Sequence, residues 1–246
     1  TAQLQIVATL KTKLENHAVW AWGNPATLLK RYRRQAVLEQ EIKEQQDALQ
    51  TQLARHWQEF LNLIEVLRQV GGLQGVIPTQ IGEAAAAIRG DNELWIALAL
   101  RSGYLDTLDP QHLAAIVCAL VSETPRSDSW TNYDPADEVV MTLSALRGTR
   151  RQLFQVQRRY QVALPVWMEY ELVGIVEQWA LGVSWPELCS NTNLDEGDIV
   201  RMLRRTVDLL SQIPYVPHAS DLVQANARRA IQLIDRFPIN ESVTRS

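Results

Sequence analysis

The chain has almost no cysteine. Cys118 and Cys189 are its only two, far apart and each in an apolar helical context. Both read as reduced core residues, which argues against a disulfide scaffold or a zinc site. No apolar run reaches the length of a membrane span, and no secretory signal is visible, so a cytoplasmic protein without a membrane partner is expected. The motifs of free-standing catalysis are missing too. There is no G-x-x-x-x-G-K-[ST] phosphate loop, no G-x-G-x-x-G after a strand, no H-E-x-x-H and no C-x-x-C. The four histidines, His17, His56, His112 and His218, are scattered one per segment. No catalytic residue, cofactor site or metal site is expected within this stretch. Glu169, Glu171 and Glu187 form a loose carboxylate group, expected to pair with arginine-rich helices. The eight tryptophans stand mostly at core spacing.

A chain of 246 residues can bury one large core or two small ones, and its apolar share of 46% is ordinary. The net charge of −4 gives no global attraction to nucleic acid, but it averages over local basic clusters. Thr1 is not an initiator Met, and the chain is expected to be a piece of a longer protein.

Glycine and proline are missing from Ala26 to Val70. One continuous helix of that length would extend about 68 Å. Leu38, Ile42, Leu49, Leu53, Trp57, Phe60, Ile64 and Leu67 mark a narrow apolar seam on it. Residues 1–70 therefore read as a projecting arm, either one long helix or a hairpin, preceded by a short amphipathic helix (Leu4, Ile6, Leu10, Leu14). Gly71-Gly72 ends the arm. A short β element near residues 73–82 is the only strand signal. Residues 71–246 then read as a multi-helix bundle, in two halves split by the polar loop 122–137. Helices are expected over Glu83–Arg89, Glu93–Arg101, from Pro110, over Glu138–Tyr160, over Pro165–Ala180, from Trp185 to Cys189, and over Ser220–Arg236. Pro238–Ser246 reads as a frayed tail. The fold class is all-α.

Asn193–Ile213 carries the sharpest amphipathic pattern. Ile199, Met202, Leu203, Thr206, Leu209, Leu210 and Ile213 share one face. Arg201, Arg205, Asp208 and Gln212 line the other, with Arg204 at its margin. Asn193 is the expected N-cap, with Glu196 completing a capping box, and Pro214 stops the helix. The ordinary explanation for the arginines is pairing of Arg204 and Arg205 with Asp208 at i+4 and i+3. The functional one is an anionic partner. Two further basic clusters fit phosphate contacts or a solvated face equally well. One is Lys30–Arg34. The other is Arg147, Arg150, Arg151, Arg158 and Arg159, in a stretch with no acid between Met141 and Met168. The long–short–long run of helices from Pro165 to Ile213 also allows a helix-turn-helix DNA-binding regulator.

Two stretches carry a family resemblance: Gly103 to Thr124, with L-D-P-Q-H-L-A-A-I-V-C-A-L-V-S-E, and Glu171 to Leu210, with W-A-L-G, a short helix, and E-G-D-I-V-R-M-L-R-R. In this order and separation they resemble the C-terminal helical (DSHCT) domain of Ski/Mtr-type, HelY-like DExH RNA helicases, over the span from Gly71 to Arg236. The arm is similar in placement to the stalk-like helices that precede that domain. The resemblance implies a domain that caps two RecA-like motor domains of the same parent chain and guides single-stranded RNA. Its ratchet helix would carry Arg201, Arg204, Arg205 and Asp208. Asp208 departs from the Glu usual in eukaryotic members, the loop after Pro214 is shorter, and the chain end lacks their hydrophobic residues. ATP and magnesium would belong to the motor domains, so this stretch is not expected to be an enzyme on its own. The competing class is a protein-interaction scaffold that recruits a partner on the 26–70 arm.

Overall fold

The computed structural model describes residues 2–123, 126 and 128–240. They are overwhelmingly helical, with one two-stranded antiparallel sheet. The chain divides into two units, residues 1–59 and 60–246.

In the first unit, α1 (Ala2–Glu15) is followed by a 3₁₀ turn over Ala18–Trp22. His17 Nδ1 accepts from the Val19 amide at 3.2 Å and caps that turn, and Trp20 Nε1 donates back to the Leu14 carbonyl at 2.8 Å. Gly23 and Asn24 then start α2 (Pro25–Gln69), a single helix of 45 residues. Proline sits at its first position, where a missing N–H costs nothing. Nothing inside it breaks the helix. Polar pairs four residues apart brace it, among them Gln35–Glu39, Gln40–Glu44 and Arg55–Glu59. Its seam residues Leu38, Ile42, Leu49, Leu53 and Trp57 are exposed.

The second unit begins in the last turns of α2, where Val66 is buried. Gly71 takes a positive φ of 76°, and the Gly72 amide donates to the Leu67 carbonyl, which closes the helix end. The strands β1 (Leu73–Gln74) and β2 (Ile77–Pro78) form a minimal hairpin. Thr79 caps α3 (Gln80–Ala87), and Asn92 caps α4 (Glu93–Arg101) through its side chain on the Trp95 amide. Next come α5 (Pro110–Val121), α6 (Asp137–Arg159), α7 (Val173–Ala180), α8 (Trp185–Ser190), α9 (Glu196–Gln212) and α10 (Asp221–Ile234).

Helix α5 is the hub. Every residue from Leu113 to Leu120 is buried, and α6, α7, α9 and α10 all pack on it. A helix apolar on all sides can be stable only when it is surrounded. Trp179 on α7 anchors the far side. Its indole N–H donates to the Ile234 carbonyl at 2.9 Å, and the Arg236 guanidinium lies 3.3 Å over the ring. Gly174 permits a close approach: a Cβ there would lie 2.1 Å from the Tyr133 carbonyl oxygen.

Several expectations need correction. Residues 165–171 are not helical; the helix expected from Pro165 starts only at Val173. That segment is an irregular strap held by other elements. Asn92 Nδ2 donates to the Pro165 carbonyl, Arg150 Nε to that of Val166 at 2.8 Å, and Trp95 Nε1 to that of Trp167 at 2.8 Å. The Glu169 amide donates to the Ala119 carbonyl at 3.0 Å. Four tertiary anchors outweigh local helical pattern here. The tryptophans are not mainly core residues either. Trp95 and Trp179 are buried, while Trp20, Trp22, Trp57 and Trp130 are exposed. The expected tail lies outside the described residues from position 241 onward, as do three residues of the 122–137 loop.

Candidate nucleic-acid interface

Helix α9 buries Ile199, Met202, Leu203, Thr206, Leu209 and Leu210 against α5 and α10. Its N-cap is Asp195, not Asn193. The Asn193 side chain is used elsewhere, accepting from the Trp130 amide and donating to the Asp128 carbonyl, so it clamps the loop before α6 rather than the helix. On the outer face, Arg201, Arg205 and Asp208 are exposed, and Arg204 and Gln212 are half-buried.

Arg201, Arg204, Arg205 and Gln212 each have a partner within the chain. Arg201 pairs with Asp198 at 3.0 Å, one turn back. Arg205 reaches Glu123 at 3.2 Å, across on the loop after α5, rather than pairing along its own helix with Asp208. Arg204 turns to the other margin, where its Nε donates to the Ile239 carbonyl at 3.1 Å. Gln212 makes a two-way clamp on Arg89: its Oε1 accepts from the amide at 2.7 Å and its Nε2 donates to the carbonyl at 3.1 Å.

Two clefts flank Arg205. One, of about 210 Å³, is lined by Glu123, Arg126, Glu169, Asp198, Arg201 and Met202 among others. The other, of about 170 Å³, is lined by Arg89–Asn92, Trp167, Asp208 and Gln212. Arg205 is the wall between them. The clefts are small and open, and their walls are charged.

The carboxylates do not pair as expected. Among the described residues, none of Glu169, Glu171 and Glu187 forms an ion pair. Glu169 is buried and accepts from the Glu171 and Leu172 amides, which caps the entry to α7. Burial pushes its carboxyl above the usual range, and those amide bonds pull it part of the way back. The Cys118 thiol, wholly enclosed, is pushed up to about 12 by desolvation. It is a packing residue, not a nucleophile.

The remaining predicted residues, Arg147, Arg150 and Arg151, sit together on α6. They line a third cleft of about 390 Å³ with Phe154 and Tyr170. The two aromatic residues were missing from the sequence-based set. Helical spacing could have supplied Phe154, one turn beyond Arg150 and Arg151. Tyr170 reaches the cleft only through the strap. Arg150 spends its Nε on the Val166 carbonyl. Among the described residues, no group of three or more His, Cys, Asp or Glu side chains could hold a metal. Among the described residues, no helix is long and apolar enough to cross a membrane.

The fold is that of an all-α domain, and the outer face of α9 is charged and shallow. A family model for the DSHCT (NUC185) domain matches residues 75–242, and the chain belongs to that family. The chain is similar to the chloroplastic DExH-box ATP-dependent RNA helicase DExH15 of Arabidopsis thaliana, with 39% identity over 75% of this chain and 16% of that protein. It is also similar to the probable helicase HelY of Mycobacterium leprae, with 31% identity over 64% of this chain and 18% of that protein. The human Superkiller complex protein 2 is 24% identical over 75% of this chain and 15% of its own length. The chain thus spans less than a fifth of the length of these relatives.

Proposed function

We propose that this chain is the RNA-guiding domain of an ATP-dependent RNA helicase, with α9 as the ratchet helix that touches single-stranded RNA. The observation that carries the reading is Arg205. It stands exposed on a helix rigidly seated on the central α5, with an open cleft on either side. Its exposed neighbours Arg201 and Asp208 can offer a donor and an acceptor in turn to a strand moving past, while Gln212 is held on Arg89. The seat is rigid and the outer face is polar, which is the arrangement a guiding contact needs. Membership of the DSHCT family and the helicase names of its relatives support the same reading. ATP and magnesium would be handled by RecA-like motor domains, a partner of α9 in the same parent protein.

The test is Arg205→Ala with Asp208→Ala in the protein that carries the motor domains. Loss of one charge-assisted contact is worth about a tenfold effect. RNA-stimulated ATP hydrolysis and unwinding should fall by that order, with ATP hydrolysis in the absence of RNA unchanged. Unaltered RNA-dependent rates would refute the assignment.

A role for the 26–70 arm in recruiting a protein partner is a second reading. The exposed apolar seam from Leu38 to Trp57 supports it.

A further inference from the structure

We propose that the outer face of α6 is a second contact for single-stranded RNA, separate from α9, in which Phe154 stacks on a base and Arg147 and Arg151 hold the flanking phosphates. The ligand class rests on the reading of α9. The platform itself rests on its own geometry.

Arg147, Arg151, Phe154 and Arg158 recur at intervals of four, three and four, so they form one stripe along α6. The stripe runs for roughly 16 Å along the helix axis. Phe154 stands in the middle of it with 58% of its surface exposed. An aromatic ring left in water between guanidinium groups is the composition of a stacking site for unpaired bases. An interface with an acidic protein would not need the ring.

The charges here are uncompensated. Among the described residues, none of Arg147, Arg150, Arg151, Arg158 and Arg159 has a carboxylate within ion-pair distance. The acids of α6, Asp137 and Glu138, lie in its first turn. Arg158 and Arg159 sit at the C-terminal end, where the helix dipole itself favours cations. Arg147 and Arg151 have no such local reason.

The cleft is also built, not merely a run of surface charge. Tyr170 holds Arg147 in place: Arg147 Nε donates to the Tyr170 hydroxyl at 3.3 Å, and its guanidinium lies 5.2 Å from the ring centroid. Arg150 pins the strap through Val166 and so fixes Tyr170. The same strap leads to α9. Trp167 lines the cleft shared with Arg205 and Asp208, and Tyr170, three residues further on, lines the cleft shared with Arg147 and Arg151.

The experiment is a salt titration of a labelled oligouridylate binding to this 246-residue chain, followed by fluorescence anisotropy. Arg147→Gln with Arg151→Gln should weaken binding and flatten the slope of log K against log salt by about 1.4, at roughly 0.7 per lost phosphate contact. Phe154→Ala should weaken binding roughly fivefold or more with the slope unchanged. The same Phe154 variant should bind a duplex RNA of equal length as the wild type does, because paired bases offer no free face. Both α6 side-chain sets are exposed, and unchanged melting temperatures should confirm intact folding. The α9 pair Arg201→Gln with Arg205→Gln is titrated alongside, so the two surfaces fail or succeed separately. If the α6 variants keep wild-type affinity and slope, the platform is refuted whatever the α9 pair does. If the wild-type chain binds no oligouridylate, it is refuted as well, and the patch belongs to an acidic protein partner.

Discussion

Helices α6 and α9 are both amphipathic, both arginine-rich on the outside and both packed on α5. They differ in what surrounds the arginines. On α9 the guanidinium groups are answered by acids of the same chain, with Asp198 beside Arg201 and Glu123 beside Arg205. On α6 the arginines meet carbonyls and aromatic rings instead. The near-neutral face suits a contact that must be exchanged as a strand advances. Any phosphate at Arg205 replaces a carboxylate at little net cost. The uncompensated face suits a contact that holds. Arginine count alone, five on α6 against three on α9, says nothing of this difference in surroundings.

The first way to break this comparison is from below. If the helices differ only in their outer faces, their buried faces should respond equally. Leu203 on α9 and Leu146 on α6 are each fully enclosed. Truncation of either to alanine should cost about 2–5 kcal/mol, from lost burial plus the cavity left behind. Chemical denaturation of the two variants measures this. A loss well under 1 kcal/mol at either site would mean that helix is not seated on the core as described.

Much of this architecture was legible in the sequence, and the exceptions have a common cause. The helicity of 26–70 was readable because nothing between Pro25 and Gly71 can stop a helix, but the choice between one long helix and a hairpin was not. The α9 pattern was readable because one face had to be apolar, and Pro214 fixed its end. The strap was not readable. Pro165–Glu171 carries apolar residues at spacings that a helix also allows, and its true partners, Asn92, Trp95, Ala119 and Arg150, lie far away in the chain. The start of α9 was misplaced for the same reason: Asn193 suits a cap locally, but the Asp128–Trp130 loop claims it. The stripe on α9 was visible from period alone. The pairing of Arg205 with Glu123, and the meeting of Tyr170 with Arg147, depend on the fold and had no local signal.

A smaller effect sharpens the comparison directly. Glu123→Gln with Asp198→Asn removes the acids that mask α9. Exposed ion pairs of this kind are weak, so freeing their arginines should tighten oligouridylate binding by only about 2- to 5-fold, with a steeper salt dependence. Nothing equivalent can be done to α6, which has no acid to remove there. Should the double variant bind no better than the wild type, the acids do not tune α9 and the contrast between the helices loses its meaning.

The smallest expected effect concerns the acid at the root of the strap. Glu169 lines the cleft beside Arg201 and Arg205, yet it is buried and faces amides. Its carboxyl is raised above the usual carboxylate range, first by burial. A group that binds its proton more tightly when folded stabilises the fold fully below its unfolded pKa. That contribution is lost as pH climbs through the folded value. Glu169→Gln keeps a carbonyl oxygen for the Leu172 amide and has no charge to desolvate. The Tm of the variant should therefore gain on that of the wild type as pH is raised from about 4 toward neutrality. A Tm difference that stays constant across that range would show that the amide bonds, not burial, govern this carboxylate. The salt slope set by Arg147 and Arg151 should be untouched by the same change, because Glu169 turns toward α5 and α7 while those arginines face out across Tyr170.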